Sequence, residues 1–193
     1  PFVGEMGTSM YWSKSNKIFQ ATLEKMLPAL RESKYVGYID INCIVNGSGI
    51  YPLEFTSRFG YPTIQIQQEG IISPMGEFLY KLAKGEKFEL KAKRGFQIGV
   101  RIMIPSYFVP KREASDTINM YRDLPIMFKN PRNMDGVHIE DIKMENGVWR
   151  VAGVSGVLLV ITGSARTVGE ARRKVYSRVA NIVVQNMFYR VDI

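Results

Sequence analysis

The segment from Tyr38 to Gly60 constrains the fold more than any other part of the sequence. It reads YIDINCIVNGSGIYPLEFTSRFG, with two largely apolar runs on either side of the glycine-containing stretch 46–49. Glycines between two such runs are typical of a β-hairpin, because the tight turn needs residues that accept positive φ angles. Asp40 lies on the first predicted strand and Glu54 on the second. The segment therefore predicts two antiparallel strands that each carry one carboxylate.

Two carboxylates on a hairpin have two explanations. Asp40 and Glu54 lie at similar distances from the turn, so antiparallel pairing can bring them to the same end of the hairpin. Like charges this close repel unless a cation separates them, and oxygen ligands from two strands suit Mg²⁺ held against a phosphate better than zinc. The alternative is that both side chains face solvent at alternate positions and have no role. The pattern alone leaves both explanations open.

Several short segments, taken in order, carry a family resemblance. GEMG at 4–7 is similar to a Thr-Gly-Gly-Met-Gly loop, and LEFTSRFGYPT at 53–63 is similar to the signature EFNxRFGDPE. Further along, 159–163 resembles a VLxVTG strand, 167–171 a T-x-x-E-A helix start, and 187–193 a closing FYRKDI. This order of motifs resembles that of the glycinamide ribonucleotide synthetases, which are ATP-grasp ligases. The hairpin is also similar to the metal hairpin of D-alanine–D-alanine ligase, another member of that superfamily.

The resemblance implies an α+β fold class with two domains. Residues 1–90 would be the C-terminal half of an ATP-grasp domain, an antiparallel sheet with helices that includes the metal hairpin. Residues 91–193 would be a small, mostly-β closing domain with a C-terminal helix. Because the chain opens at Pro1, in a match to a mid-protein motif, we expect a C-terminal portion that is inactive without the N-terminal remainder of the same enzyme.

The resemblance also implies a reaction and its ligands. ATP would phosphorylate the carboxylate of glycine, and phosphoribosylamine would attack the acyl phosphate to give glycinamide ribonucleotide in purine biosynthesis. The implied cofactors are ATP and Mg²⁺ or Mn²⁺. The implied partners are small molecules, namely glycine, a phosphorylated amine and ATP.

Individual residues take roles from the same resemblance. Glu54 is the first implied metal ligand, Asp40 the second and Thr56 a weaker third. Arg58 is the implied catalytic residue, because a planar guanidinium binds the oxygens of a transferring phosphoryl group or acyl phosphate in pairs. An ion pair of Arg58 with Glu54, or with another acidic residue, is the structural alternative. The residues expected to approach the nucleotide through their backbone, or simply to form turns, are Gly4, Met6, Gly7 and Gly60.

Four positions depart from the family pattern. Thr56 stands where the family has an Asn, two residues after the metal-binding Glu, so one ligand is weakened or lost. Tyr61 and Thr63 replace two acidic residues beside the site, and Val157 replaces an Arg before the late strand. These changes predict a divergent relative, and a paralogue with a different amine acceptor is the first alternative function.

The net charge of the chain supports a second alternative function. Its 193 residues include 26 Lys and Arg against 18 Asp and Glu, a net charge of +8, with basic clusters at 81–94 and 166–178. Such clusters fit solvated helix faces, a cleft for phosphorylated substrates, or a non-catalytic basic module that binds phosphate-rich ligands or nucleic acid. Nucleic acid is disfavoured, because the aromatic residues are not interleaved with basic ones as in stacking platforms.

Other classes of function find no support in the sequence. No apolar run approaches the length of a membrane span, no signal peptide is recognisable, and no GxxxxGK[ST] loop occurs. The single cysteine, Cys43, cannot form an internal disulfide, which favours a cytoplasmic setting, and we expect its side chain to be buried. His138, the only histidine, has no Ser, Cys or second His at a catalytic spacing and reads as a strand residue.

Hydrophobic periodicity predicts the remaining elements. Residues 15–33 read as a helix with a core-facing apolar stripe, kinked or shortened at Pro28, and 61–72 as a loop with a short helical turn. A last helix begins at Thr167, where Glu170 completes a capping box. The other predictions are a helix at 73–85 and strands at 97–104, 136–142, 148–151 and 156–162, with the second and third strands paired around the turn 145–147.

Overall fold

The computed structural model describes residues 6–108, 119–153 and 155–193. Within these ranges the strands form two four-stranded antiparallel sheets and one separate hairpin. The strands are β1 (Gly7–Tyr11), β2 (Asp40–Asn46), β3 (Gly49–Thr56), β4 (Phe96–Met103), β5 (Pro125–Phe128), β6 (Val137–Ile139), β7 (Ile142–Glu145), β8 (Val148–Val151), β9 (Val157–Ala165) and β10 (Ile182–Val183). The helices are α1 (Lys17–Ala21), α2 (Leu23–Glu32), α3 (Thr63–Gly70), α4 (Met75–Lys84) and α5 (Val168–Val179).

The first sheet holds the main core and has the strand order β1-β4-β9-β6. Its central strands β4 and β9 are buried along most of their length, because helices cover both faces of the sheet. A β-carbon at Gly99 would lie 2.4 Å from the side chain of Ile66 on α3. A β-carbon at Gly163 would lie 2.9 Å from the side chain of Val175 on α5. Since Gly99 pairs with Thr162 and Gly163 is the next residue on β9, α3 and α5 lie on opposite faces.

The second sheet has the strand order β10-β5-β8-β7. The turn between β7 and β8 is made by Asn146 and Gly147, at φ angles of 50° and 77°, as a two-residue hairpin requires. The expected pairing of 136–142 with 148–151 is wrong in its first strand: the partner of β8 is Ile142–Glu145. Residues 137–139 form β6 instead and pair with β9 in the first sheet, because the chain changes sheets between Ile139 and Ile142.

The last helix forms as the sequence predicts. Thr167 accepts from the backbone N–H of Glu170, and the Glu170 side chain accepts from the backbone N–H of Thr167, which completes the capping box. The buried residues of α5 are Ala171, Val175 and Val179.

The predicted helix at 15–33 is two helices that break at Thr22, not at Pro28. The Thr22 hydroxyl donates to the backbone oxygen of Ile18 at 2.6 Å, and α2 continues through Pro28. The expected core packing is also wrong, since neither α1 nor α2 contains a buried residue. These two helices contact mainly each other in the described part of the chain, so their apolar side chains are only half-buried.

Residues 61–72, expected as a loop with a short turn, contain the eight-residue helix α3. The helix α3 packs against the first sheet and buries Gln67 and Gly70 as well as Ile66. Because two of these buried residues are not apolar side chains, the hydrophobic periodicity of the segment is weak. The helix expected at 73–85 forms as α4 and ends at Gly85 in a left-handed conformation. The helix α3 follows directly on the hairpin and so connects it to the first sheet.

The domain division at residues 90 and 91 stays a prediction. Strand β1, from the first predicted domain, pairs with β4 in the second. In the described ranges no helix has both the length and the apolar character needed to cross a membrane.

Candidate metal and phosphate site

The hairpin of β2 and β3 brings oxygen-bearing side chains together on one face. The register places Asp40 opposite Thr56 and Asn42 opposite Glu54. Side chains two residues apart on a strand point to the same face, so the two cross-strand pairs form one polar surface. Asp40 and Glu54 therefore lie on neighbouring pairs of this surface, at the same end of the hairpin.

Asn42 belongs to this surface although the sequence motifs did not indicate it. Its Nδ2 donates a hydrogen bond of 2.9 Å to Oε1 of Glu54 across the hairpin. Asn42 thus supplies an amide group from β2 to the surface that Thr56 shares on β3. The signal that could have found it is the two-residue spacing from Asp40, which on a strand means the same face.

Asp40 is half-buried beside the start of α3. A β-carbon at Gly60 would lie 4.0 Å from Oδ2 of Asp40 and 3.1 Å from Oγ1 of Thr63. A larger residue at position 60 would require the Thr63 side chain to shift slightly. Burial raises the pKa of the neighbouring Tyr38, the hydrogen bond from Gln67 opposes this rise, and the negative charge of Asp40 adds to it.

A pocket of about 380 Å³ lies between the hairpin and the start of α3. Arg58, the expected phosphoryl-binding residue, is exposed at this pocket, and its guanidinium donates to the backbone oxygen of Phe59 at 3.0 Å. Among the described residues it forms no ion pair with Glu54 or with another acid, so the expected structural alternative is not observed. The pocket is lined by Asp40, Asn42, Glu54, Thr56, Arg58, Gly60, Tyr61 and Thr63.

The donor set of this pocket fits a hard divalent cation. Two carboxylates, one amide and one hydroxyl offer the oxygen atoms that Mg²⁺ and Mn²⁺ accept as ligands. Within the described ranges no three His, Cys, Asp or Glu residues cluster as a metal site, so an ion here would complete its shell with neutral oxygens, water or phosphate. This is the usual coordination of Mg²⁺ beside a nucleotide and is unlike a zinc site.

The structure separates the four residues expected to approach the nucleotide. Gly60 lines the pocket, and Gly4 lies outside the described residues. Met6 is buried against Met103 and Val157. Gly7 lies on β1, where a β-carbon would come within 2.7 Å of the backbone oxygen of Gly99. Met6 and Gly7 thus have packing roles in the first sheet, and their contact with a nucleotide remains a prediction.

A polar cluster anchors α3, and with it the end of the hairpin, to the first sheet. Glu69 on α3 accepts hydrogen bonds from Ser164 at 2.7 Å and from Thr162 at 3.1 Å, both on β9. It also lies 3.5 Å from Lys93 Nζ and 3.5 Å from the guanidinium of Arg178 on α5. Burial would raise the pKa of Glu69, but these hydrogen bonds and positive charges together hold it below its ordinary value.

His138 and Cys43 are both strand residues. His138 lies on β6, and its Nε2 is 3.0 Å from Oγ1 of Thr162. Burial lowers the pKa of His138, with the charge of Glu69 opposing this shift and that of Arg178 adding to it. Cys43 is half-buried on β2, less enclosed than the sequence analysis expected.

Comparison with known proteins supports the expected relationship. No family model matches the chain. A phosphoribosylamine–glycine ligase from Listeria innocua is 25% identical over 189 residues, which cover 93% of this chain and 42% of the relative. The corresponding ligase from Rhizobium meliloti is 27% identical over 174 residues, covering 89% of this chain and 39% of the relative. The chain therefore spans about two fifths of the length of these curated relatives.

Solved structures show the same fold. The crystal structure of phosphoribosylamine–glycine ligase from Thermotoga maritima matches with a TM-score of 0.70 at 21% identity, over 97% of this chain and 46% of the other. Biotin carboxylase from Campylobacter jejuni, solved as a complex with β,γ-ATP, matches with a TM-score of 0.54 at 14% identity, over 91% of this chain and 38% of the other. The predicted α+β class is confirmed: the chain has the ATP-grasp fold and is a relative of the phosphoribosylamine–glycine ligases.

Proposed function

We propose that this chain is part of an ATP-dependent ligase that forms a C–N bond between a carboxylate and an amine. The observation that carries the proposal is the polar hairpin face, on which Asp40, Asn42, Glu54 and Thr56 meet beside Arg58 in one pocket. The names of the curated relatives and the shared fold support the same class of reaction.

Each side chain of the pocket has a proposed task. Glu54 and Asp40 would hold Mg²⁺ or Mn²⁺, with the neutral oxygens of Asn42 and Thr56 completing the ligands from the hairpin. The ion, when bound, neutralises charge on the phosphates of ATP. Arg58 would contact the oxygens of the phosphoryl group, because its guanidinium binds such oxygens in pairs.

The proposed reaction has two steps. In the first, the bond between the γ-phosphorus and the bridging oxygen of ATP breaks, ADP leaves, and a carboxylate oxygen takes the phosphoryl group. In the second, the amine nitrogen attacks the acyl carbon, the C–N bond forms, phosphate leaves with the oxygen that carried it, and the amine proton passes to solvent. The names of the relatives favour glycine as the acid and phosphoribosylamine as the amine. Thr56, Tyr61, Thr63 and Val157 differ from the family pattern and favour the alternative of another amine.

The hairpin also supports the proposed N-terminal remainder of the enzyme as a partner. Tyr51, Leu53 and Phe55 on β3 are 47%, 62% and 49% exposed, an unusual state for large apolar side chains that adjoin one another on a strand. We propose that a polypeptide supplying the adenine pocket covers them. The other expected partners are ATP and small-molecule substrates, and the expected setting is the cytoplasm.

A hybrid protein tests the proposal. This chain would replace the matching region of the Listeria innocua relative, and ADP release would be followed with Mg²⁺, ATP, glycine and phosphoribosylamine. We expect Mg²⁺-dependent turnover that Glu54→Gln lowers at least about a hundredfold, because the variant keeps the shape of the side chain but loses the ligand charge. Glu32→Gln, at an exposed position outside the hairpin, is the matched control. Equal turnover in the Glu54→Gln and Glu32→Gln hybrids would remove the metal assignment.

A further inference from the structure

The two carboxylates of the candidate metal site have different surroundings. Glu54 accepts a hydrogen bond from Asn42 on the same hairpin. Asp40 is the first residue of β2, and Tyr38, two positions earlier, is half-buried beside it. The neighbours of Asp40 therefore belong to the segment that leads into the hairpin rather than to the hairpin itself.

Contacts from three parts of the chain fix Tyr38 in place. Its ring lies against that of Phe59, with the ring centroids 4.5 Å apart. Its backbone oxygen accepts from the hydroxyl of Tyr35 at 2.6 Å. Its own hydroxyl accepts from Nε2 of Gln67, on α3, at 3.1 Å. Because the ring, the backbone and the hydroxyl all have partners, the position of the hydroxyl oxygen is well defined.

Gln67 is a polar side chain in the interior of the protein. It is only 8% exposed, and burial of an amide is costly unless the group is hydrogen-bonded. Its bond to Tyr38 joins residues 29 positions apart in the chain. This bond links the buried side of α3 to the residue that precedes the hairpin.

The chemistry of the groups gives these hydrogen bonds a direction. An amide nitrogen donates and does not accept, so the Tyr38 oxygen is the acceptor and keeps its own proton for a further bond. The Asp40 side chain is a hydrogen-bond partner of the Tyr38 hydroxyl, and a carboxylate accepts such a proton. The bonds therefore run from Gln67 to Tyr38 and from Tyr38 to Asp40.

A carboxylate that is held in one orientation is a better metal ligand than one that rotates freely. Asp40 lines the pocket, and its Oδ2 lies 4.0 Å from the position of a β-carbon at Gly60, another lining residue. Neither Tyr38 nor Gln67 lines the pocket. Hydrogen-bond partners of metal ligands that do not touch the ion commonly change metal affinity by about 10–100-fold.

We propose that Tyr38 and Gln67 are positioning residues of the metal site: Tyr38 orients the Asp40 carboxylate toward the ion, and Gln67 holds the Tyr38 hydroxyl in place. The inference deepens the proposed function and rests on it. Each carboxylate then has its own donor, Asn42 for Glu54 and Tyr38 for Asp40. A residue in the interior of α3 thereby controls a ligand on the hairpin.

Mn²⁺ titrations of the 193-residue chain, followed by electron paramagnetic resonance, test both assignments. Tyr38→Phe removes only the hydroxyl and is expected to lower the affinity about tenfold. Gln67→Met removes the donor to that hydroxyl and should give a smaller loss. The matched controls are Tyr80→Phe, at a tyrosine that is 61% exposed on α4, and Gln68→Met, at an exposed glutamine of α3. Both controls should leave the affinity unchanged.

A double-mutant cycle shows whether Tyr38 acts through Asp40. Asp40→Ala removes the carboxylate, and in that background Tyr38→Phe should cause no further loss of Mn²⁺ affinity. A merely structural contribution of Tyr38 would give the same loss in both backgrounds. The cycle is repeated without metal on urea denaturation midpoints, where the double variant should shift by less than the sum of the two single variants.

Three results would overturn the inference. They are equal affinities of Tyr38→Phe and Tyr80→Phe, a Tyr38→Phe loss that persists in the Asp40→Ala protein, and additive shifts of the denaturation midpoint. If the original protein binds an ion whose affinity does not depend on Tyr38, the positioning role fails and the metal site stands. If the original protein binds no ion, the metal site fails and the positioning role fails with it. The two failures are therefore distinguishable.

Discussion

Asn42 and Glu54 face each other across the hairpin, and the Nδ2 of Asn42 donates to Oε1 of Glu54 at 2.9 Å. The bond holds the carboxylate in the polar face that Asp40 and Thr56 share. A neighbouring donor that fixes a metal-binding carboxylate commonly contributes to metal affinity. We therefore expect Asn42 to contribute to metal binding by holding the Glu54 carboxylate in place.

Substitution of Asn42 should weaken metal binding less than loss of the Glu54 charge. Asn42→Leu removes both the hydrogen bond and the amide oxygen, and we expect the affinity for Mn²⁺ to fall by about tenfold. Mn²⁺ titrations followed by electron paramagnetic resonance would measure the change. Gln20→Leu, at an exposed position on α1 outside the pocket, controls for surface effects, so an equal loss in both variants would contradict the role of Asn42.

The close packing of α3 on the first sheet predicts the effect of a single methyl group. Gly99→Ala would place a β-carbon 2.4 Å from the side chain of Ile66, and we expect unfolding free energy to fall by about 1–3 kcal/mol. Gly76→Ala, near the start of α4, meets nothing within 4 Å and should raise stability by up to about 1 kcal/mol. Urea denaturation of both variants would check this, and a neutral Gly99→Ala would contradict the packing.

The capping box at the start of α5 predicts a smaller loss of stability when Thr167 is replaced. Thr167→Ala removes the side-chain oxygen that accepts from the N–H of Glu170, which costs about 1 kcal/mol at a typical N-cap. Thr167→Ser retains the hydroxyl and should be close to the original protein. Thermal unfolding would separate the two, and equal losses in both variants would show that the hydroxyl does not stabilise the helix.

Glu69 predicts a pH dependence of stability. Its pKa in the folded protein is below its ordinary value of 4.5, so the unfolded chain binds the proton more readily. The ionised group therefore stabilises the fold above about pH 4.5, and this contribution is lost as the pH falls below 4.5 toward the lowered value.

The comparison of Glu69→Gln with the original protein measures that contribution. We expect the variant to be less stable at pH 7 by about 1–3 kcal/mol, because charged hydrogen bonds to Ser164 and Thr162 are weakened. The difference should shrink progressively below pH 4.5. Chemical denaturation at a series of pH values would show it, and a difference that does not change with pH would contradict the lowered pKa.

The sequence predicted the elements whose signals are local. The glycine turn defined the hairpin that carries Asp40 and Glu54, and the Thr167–Glu170 spacing defined the start of α5. In both cases the residues that determine the structure lie within a few positions of each other. The pattern of motifs likewise predicted the ATP-grasp fold.

Other elements could not be predicted because tertiary contacts determine them. The helix α3 buries Gln67 and Gly70 along with one apolar residue, so its sequence lacks the usual apolar stripe. Strand β6 was assigned to the wrong pairing because the residues that it pairs with on β9 lie at least twenty positions away. Asn42 was missed as a candidate-site residue for the same reason, since its partner Glu54 becomes a neighbour only in the folded chain.

Mn²⁺ binding to the 193-residue chain is the most direct test of the central claim, that the hairpin is a metal site. Electron paramagnetic resonance titrations would compare the original protein with Glu54→Gln and with the control Glu32→Gln. The account predicts one bound ion, an affinity at least about tenfold lower in Glu54→Gln, and no change in Glu32→Gln. Absence of a bound ion in the original protein, or binding that Glu54→Gln leaves unchanged, would contradict it.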